Sequence, residues 1–240
     1  MSGRYPEDHF IDTNILIGYT VEWDNQRDPV SEYTSANPYA EAAIHTSEAV
    51  LDEAEDVVNK QRRLAKQAAR KVFEDCDTDG GVNAEQDIID FIRSEFDDDS
   101  IRGVLRLVSH IPNLYIGLSQ SDNTRALSAN VGDIDECFED PTDFVRALRD
   151  ESQRPIDLNV FRDRPSSYSQ QYEPEYRDLD NLIENKADRD ILLDSYRLAD
   201  TDGIEEIAFI STDEGDILSN DTGIESSLTV VSVFHPQALT

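Results

Sequence analysis

Lysine is scarce in this chain, with four residues (Lys60, Lys66, Lys71 and Lys186) in 240, and methionine and tryptophan occur once each. No apolar run approaches the roughly 18 residues of a membrane span, so no transmembrane helix is expected. Met1 to Asp8 carries no charged-then-apolar leader, and a cytoplasmic location is expected. The two cysteines, Cys76 and Cys137, are far apart and lack CxxC or CxxH spacing. That argues against a zinc finger or a disulfide framework and leaves two reduced thiols. Phosphate-binding and nucleophile motifs are missing too: there is no GxGxxG, no P-loop and no GxSxG. His9, His45, His110 and His235 form no pair at metal or triad spacing and read as structural.

Acid is what the chain has in excess. Its 52 Asp and Glu against 21 Lys and Arg give a formal charge of −31, spread along the sequence. Spread acids make a solvated shell more readily than a binding tail, and the strong apolar segments argue against disorder. The balance resembles that of proteins from salt-accumulating halophiles. In molar salt the Debye length falls to about 3 Å, so this charge does not forbid an anionic partner held by local contacts.

Residues 9 to 12 read as a short buried strand and Ile15 to Val21 as the start of a helix. The stretch from Asp24 to Pro38, broken by Pro29 and Pro38, reads as a loop. A long helix is expected from Ser47 to about Phe73, with Ser47 or Thr46 as its N-cap. Two helices follow, Asn83 to Phe96 and Ser100 to His110, and then "NLYIGLS" after Pro112 as a strand. Residues 119 to 179 read as a polar insertion or flap with one helix near Pro141 to Glu151. A helix from Lys186 to Ala199, a strand at 207 to 211, a connector or helix at 215 to 226 and a strand at 227 to 234 complete the chain. Continuously apolar strands separated by helices indicate an α/β fold: three layers around a mainly parallel sheet of four to five strands, in one domain spanning 1 to 240.

Ligands of such sheets gather at the carboxyl ends of the strands. Asp12 and Asp213 both follow apolar strands, and Asp216 lies one short turn later. At about 100° per residue, Asp188 falls within the apolar arc of its helix while Asp190 falls nearly opposite. Glu53 lies at the edge of the apolar stripe of the long helix. In so acidic a chain, a single carboxylate at a strand end is more often a cap or turn residue than a ligand. Several together need a cation to remain ionised, and hard oxygen donors favour Mg²⁺ or Mn²⁺. Phosphodiester hydrolysis is the chemistry such a cluster supports.

These residues resemble the PIN-domain family of metal-dependent nucleases. The likeness lies in "FIDTNIL", "SEAVLDEAE" at 47 to 55, "ADRDILLDSYRLA" at 187 to 199 and "FISTDEGDIL" at 209 to 218, and covers residues 9 to 74 and 180 to 235. It implies catalytic, metal-binding roles for Asp12, Glu53, Asp188 and Asp213, with Asp216 as a further metal ligand and Asn14 and Ser211 as polar supports. PIN domains are commonly shorter, and the span 75 to 179 is long for one.

Three other features compete. The run 59 to 71 holds six bases and no acid; Lys60 and Lys71 fall on the side of Glu53, Arg62 and Arg63 on the outer face, and all four are candidate RNA contacts. Asp75, Asp77, Asp79 and Gly80 match the start of a calcium loop, but Gln86 replaces its terminal glutamate. Arg162, Arg164, Tyr168, Tyr172 and Tyr176 interleave cations and aromatics, as a platform for single-stranded RNA would. A divalent-metal-dependent ribonuclease is the function expected, with RNA as partner and a homodimer or protein partner as further options. The alternative is a catalytically weak PIN-like module that binds RNA or protein. A phosphatase of the haloacid dehalogenase kind would need an aspartate where Asn14 stands.

Overall fold

The computed structural model describes residues 5–76, 84–96, 98–121 and 124–240. Five strands among these residues, β1 (Asp8–Ile11), β2 (Ala43–Ser47), β3 (Asn159–Phe161), β4 (Ile207–Ile210) and β5 (Val231–Phe234), form one all-parallel sheet in the order β3-β2-β1-β4-β5. The central pair explains itself: Phe10 and Ile11 of β1 and all of Ile207–Ile210 in β4 are buried, as a strand covered on both faces requires.

β2 is less transparent in sequence, because "AIHTS" buries three polar residues. Each finds a partner: His45 Nε2 lies 2.8 Å from Asp8 Oδ1, Thr46 Oγ1 donates to the Ile11 carbonyl at 3.1 Å, and the Ser47 hydroxyl donates to Asp194. These bonds offset much of the desolvation cost that would otherwise exclude such a segment from a core, although His45 Nδ1 is buried without a partner among the described residues.

Helices α1 (Thr13–Thr20), α2 (Arg27–Ser35) and α3 (Asn37–Glu41) join β1 to β2. The connection from β2 to β3 runs through α4 (Glu48–Asp75), α5 (Ala84–Glu95), α6 (Asp98–His110), α7 (Pro112–Ser119) and α8 (Thr124–Leu148). α9 (Tyr168–Gln171), α10 (Glu173–Asp180) and α11 (Lys186–Asp202) lead to β4, and α12 (Asp221–Ser227) leads to β5. Successive strands step one way from β1 to β3 and the other way from β4 to β5. Right-handed crossovers, the rule for parallel strands, then put α1–α3 on one face and α11 and α12 on the other, making three layers.

Several local expectations need correction. "NLYIGLS" is the helix α7 and not a strand: Pro112 occupies its first turn, and the buried Tyr115 and Leu118 stand three apart, at helical spacing. The stretch read as loop contains α2, whose Pro29 is tolerated in the first turn while Val30 and Tyr33 are buried. α8 starts far earlier than Pro141 and continues through it, with Thr142 Oγ1 donating back to the Phe138 carbonyl at 2.7 Å. The last strand is shorter, because α12 extends to Ser227.

The chain divides into two compact units. One comprises residues up to Thr20, Asn25–Ala54 and Phe144–Thr240, and holds the whole sheet. The other comprises Val21–Asp24 and Glu55–Asp143, and its regular elements among the described residues are all helices. Its core is built from Ala65, Ala68 and Val72 of α4, Ile88 and Ile92 of α5, Leu107 of α6, Tyr115 of α7 and Phe138 of α8. Residues 119 to 179 are thus shared between the units, and the later part supplies α9, α10 and the edge strand β3.

Candidate functional site

The adjacent strands β1 and β4 lead in opposite directions along the sheet, so a crevice opens at their carboxyl ends. Asp12 stands at its edge. Its N–H extends the ladder by one bond to the Ile210 carbonyl (3.2 Å), and its Oδ1 accepts the Ile15 N–H at 3.0 Å. The carboxylate therefore caps α1 with one oxygen. Capping and ligation are compatible roles for this residue, since a carboxylate has two oxygens.

Asp213 is held in the same way. Ser211 Oγ accepts the Asp213 N–H at 3.0 Å, and Asp213 Oδ1 accepts from Gly215 N at 2.8 Å and Asp216 N at 3.2 Å. The fully buried Ser211 also donates to Asp12, tying the two strand ends together. Asp188 lies in the first turn of α11, where Asn185 caps the helix by accepting the Ala187 N–H at 3.0 Å and also bonds to Asp188. Glu53 comes from the second turn of α4, and its Oε2 accepts the Thr13 hydroxyl at 2.6 Å.

Four separated segments thus place their carboxylates within one electrostatic field. Asp12 is pushed from the ordinary 3.8 to about 7, chiefly by burial and further by the charges of Asp188 and Asp213, against the pull of the Ser211 and Ile15 hydrogen bonds. Asp188 is raised to about 6, again first by burial, then by the charges of Glu53 and Asp213, with Asp216 adding a smaller push. Mutual repulsion of this kind is what a bound cation relieves. The donor set is all oxygen and suits a hard divalent ion. Among the described residues, however, no three His, Cys, Asp or Glu side chains converge closely enough to hold a metal as they stand. One oxygen each of Asp12, Asp213 and Glu53 is turned to the scaffold by the bonds above.

Asn14 is exposed, two residues beyond Asp12 in α1. Thr13 and Asn185 orient site carboxylates and were not picked out by sequence reasoning. A hydroxyl beside the strand-end aspartate, and an asparagine at the helix start three residues before Asp188, were the available signals.

The interleaved arginines and tyrosines do not form an open platform. Tyr168 is 5% exposed and its hydroxyl donates to the fully buried Asp194, which also accepts from Arg164 Nε at 2.8 Å and from Ser47. Burial holds the Asp194 carboxyl above its usual range despite these donors. The cluster fastens the segment after β3 to α11 and to the end of β2.

The basic run belongs to the helical unit. Arg62 Nε lies 2.5 Å from Asp135, which Lys66 also contacts, and Lys71 pairs with Asp75 and Glu95 at 3.3 Å. Lys60 and Arg63 are exposed. Of the calcium-loop expectation on residues 75 to 86, Asp77, Asp79 and Gly80 lie outside the described residues. No described helix is long and apolar enough to cross a membrane.

No protein-family model matches the chain, and no curated protein or solved structure matches it.

Proposed function

We propose that the chain is a divalent-metal-dependent ribonuclease, PIN-like in the order and placement of its acidic motifs, that hydrolyses RNA phosphodiester bonds at Asp12, Glu53, Asp188 and Asp213. The observation that carries the reading is that four separated segments bring Asp12, Glu53, Asp188 and Asp213 into one field near the strand-order reversal, where the proton affinities of Asp12 and Asp188 are raised first by burial and then by neighbouring carboxylates. Asp12, Glu53, Asp188 and Asp213 would hold Mg²⁺ or Mn²⁺, with Asp216 as a further donor. Bound there, such an ion supplies a Lewis acid for a phosphoryl oxygen and a water made acidic enough to attack near neutral pH. The protein's part is positional: Ser211 links Asp12 to the Asp213 loop, Thr13 orients Glu53, and Asn185 orients Asp188. Asn14, exposed beside Asp12, is available to orient substrate or water. The acidic composition and two cysteines outside any disulfide fit a reducing, salt-rich cytoplasm.

A second reading, a PIN-like module that binds RNA or protein without cutting, is favoured by the lack of three convergent ligands among the described residues. Cleavage of a mixed-sequence single-stranded RNA, measured with Mn²⁺ in molar KCl, separates the two. The first reading expects cleavage by the wild type and its loss in D12N with the circular dichroism unchanged. Binding without cleavage by the wild type, or equal cleavage by D12N, overturns it.

A further inference from the structure

The helical unit contains a groove of about 450 Å³, floored by Ile89 of α5 and Leu105 of α6 and edged by Trp23, Arg93, Arg106 and His110. Among the described residues its lining includes no acid, in a chain where 52 of 240 residues are Asp or Glu. Each lining cation has an acid just outside the lining, Asp90, Asp24 or Glu22, so the groove is a patch of paired charge around the chain's single tryptophan.

The cations are loosely committed. Arg93 lies 3.5 Å from Asp90, Arg106 lies 3.6 Å from Asp24, and His110 lies 3.7 Å from Glu22. These separations exceed the 2.7–2.9 Å of a strong charge-assisted bond, unlike Arg149 with Asp52 at 2.8 Å. Trp23 packs edge-on against Phe138 and tilts against His110, so the indole is braced from two sides. Its Nε1 hydrogen is shielded from solvent and has no acceptor among the described residues.

We propose that this groove binds a nucleoside phosphate, the base against the Trp23 indole and the phosphate against Arg93 and Arg106, either as a free nucleotide or as one residue of a single-stranded RNA. The chemistry follows from the lining. Guanidinium groups match phosphate oxygens in fork geometry, and an indole provides a stacking surface for any base. A simple inorganic anion would use only the arginines and an apolar ligand only the floor, whereas a nucleotide uses both. The proposal does not depend on the carboxylate site, which belongs to the other unit.

Because Trp23 is the only tryptophan, its fluorescence reports on the groove directly. Full-length protein is titrated in high KCl with AMP, adenosine, inorganic phosphate and a short single-stranded oligoribonucleotide in the absence of divalent metal. The expected result is saturable quenching by AMP, with adenosine and phosphate at least tenfold weaker, and at least a tenfold loss for AMP in the R93Q/R106Q variant. Both arginines are partly exposed, at 53% and 34%, so the variant is expected to fold, and its unchanged circular dichroism and emission maximum verify this. Oligoribonucleotide binding tighter than AMP assigns the groove to RNA, and AMP binding as tight or tighter assigns it to a free nucleotide. No saturable quenching at millimolar AMP, or equal affinity in a folded R93Q/R106Q variant, overturns the proposal.

Discussion

Replacing Asp12 by asparagine should make the metal-free protein more stable, even as it removes the function. In the folded state the Asp12 carboxyl is raised from 3.8 to about 7 by burial and by its acidic neighbours. A group whose folded pKa lies above its unfolded one binds more protons when folded, so stability falls as pH climbs through the interval between the two. At about 1.4 kcal/mol per tenfold change in proton affinity, ionised Asp12 costs the fold about 4 kcal/mol at pH 8 and under about 2 kcal/mol at pH 5. Asparagine keeps the acceptor for the Ile15 N–H, and the Ser211 hydroxyl can turn to accept from the new amide. Trp23 belongs to the helical unit and would miss the effect, so the assay is amide hydrogen exchange of peptides covering β1 and β4. Compared at equal pH, D12N should protect those amides by up to about a thousandfold more than wild type at pH 8, and by much less at pH 5. Saturating Mn²⁺ should then favour the wild type, by about 2.7 kcal/mol at a hundredfold excess over its dissociation constant, and leave D12N nearly unmoved. Equal protection at pH 8, or a gain that does not shrink on acidification, would refute the electrostatic argument.

Two further outcomes follow from bonds at and near the site. Thr13→Val deletes the hydroxyl that holds Glu53 Oε2; Mn²⁺ affinity should drop on the order of tenfold, the low end for a ligand-orienting partner, while calorimetric stability changes by less than about 1.5 kcal/mol. Asp194→Ala should destabilise the protein by about 3 kcal/mol in urea titrations, because the Arg164 and Tyr168 donors lose their shared acceptor; a loss below about 1 kcal/mol would mean that the cluster is not a fastening.

Much of the carboxylate arrangement was legible in the chain because strand ends and helix faces follow from periodicity alone. Asp12 and Asp213 sit after buried runs, whereas Asp188 is half-buried and so is Asp190, which the wheel of α11 puts on the far side. The same wheel also carried a signal that went unread: Asp194 stands three residues after Ile191 and four before Leu198, on the buried face, and so needed partners of its own. Finding it would have recast Arg164 and Tyr168 as those partners. β2 was illegible for a different reason. His45, Thr46 and Ser47 become acceptable in a core only through bonds to Asp8, Ile11 and Asp194, which are distant in sequence. The α7 run was ambiguous because a short apolar stretch serves strand and helix equally, and Pro112 was the datum that should have decided it.

The sheet also dictates an order of events during synthesis. β1 and β2 emerge early and can pair, but the other neighbour of β1 is β4, where Asp8 meets Ile207, and everything in the helical unit is made before that strand exists. A ribosome-bound chain therefore has time to complete the helical unit while one side of β1 is still an open edge, a state exposed to strand-to-strand misassembly. Closing that edge is a long-range step, slow by its loop entropy, and it is the same step that brings Asp213 to Asp12. The repelling carboxylates of Asp12 and Asp213 thus meet only when β4 adds to β1, with β5 still to follow, so divalent ions present during refolding should speed that step and leave the earlier ones unchanged.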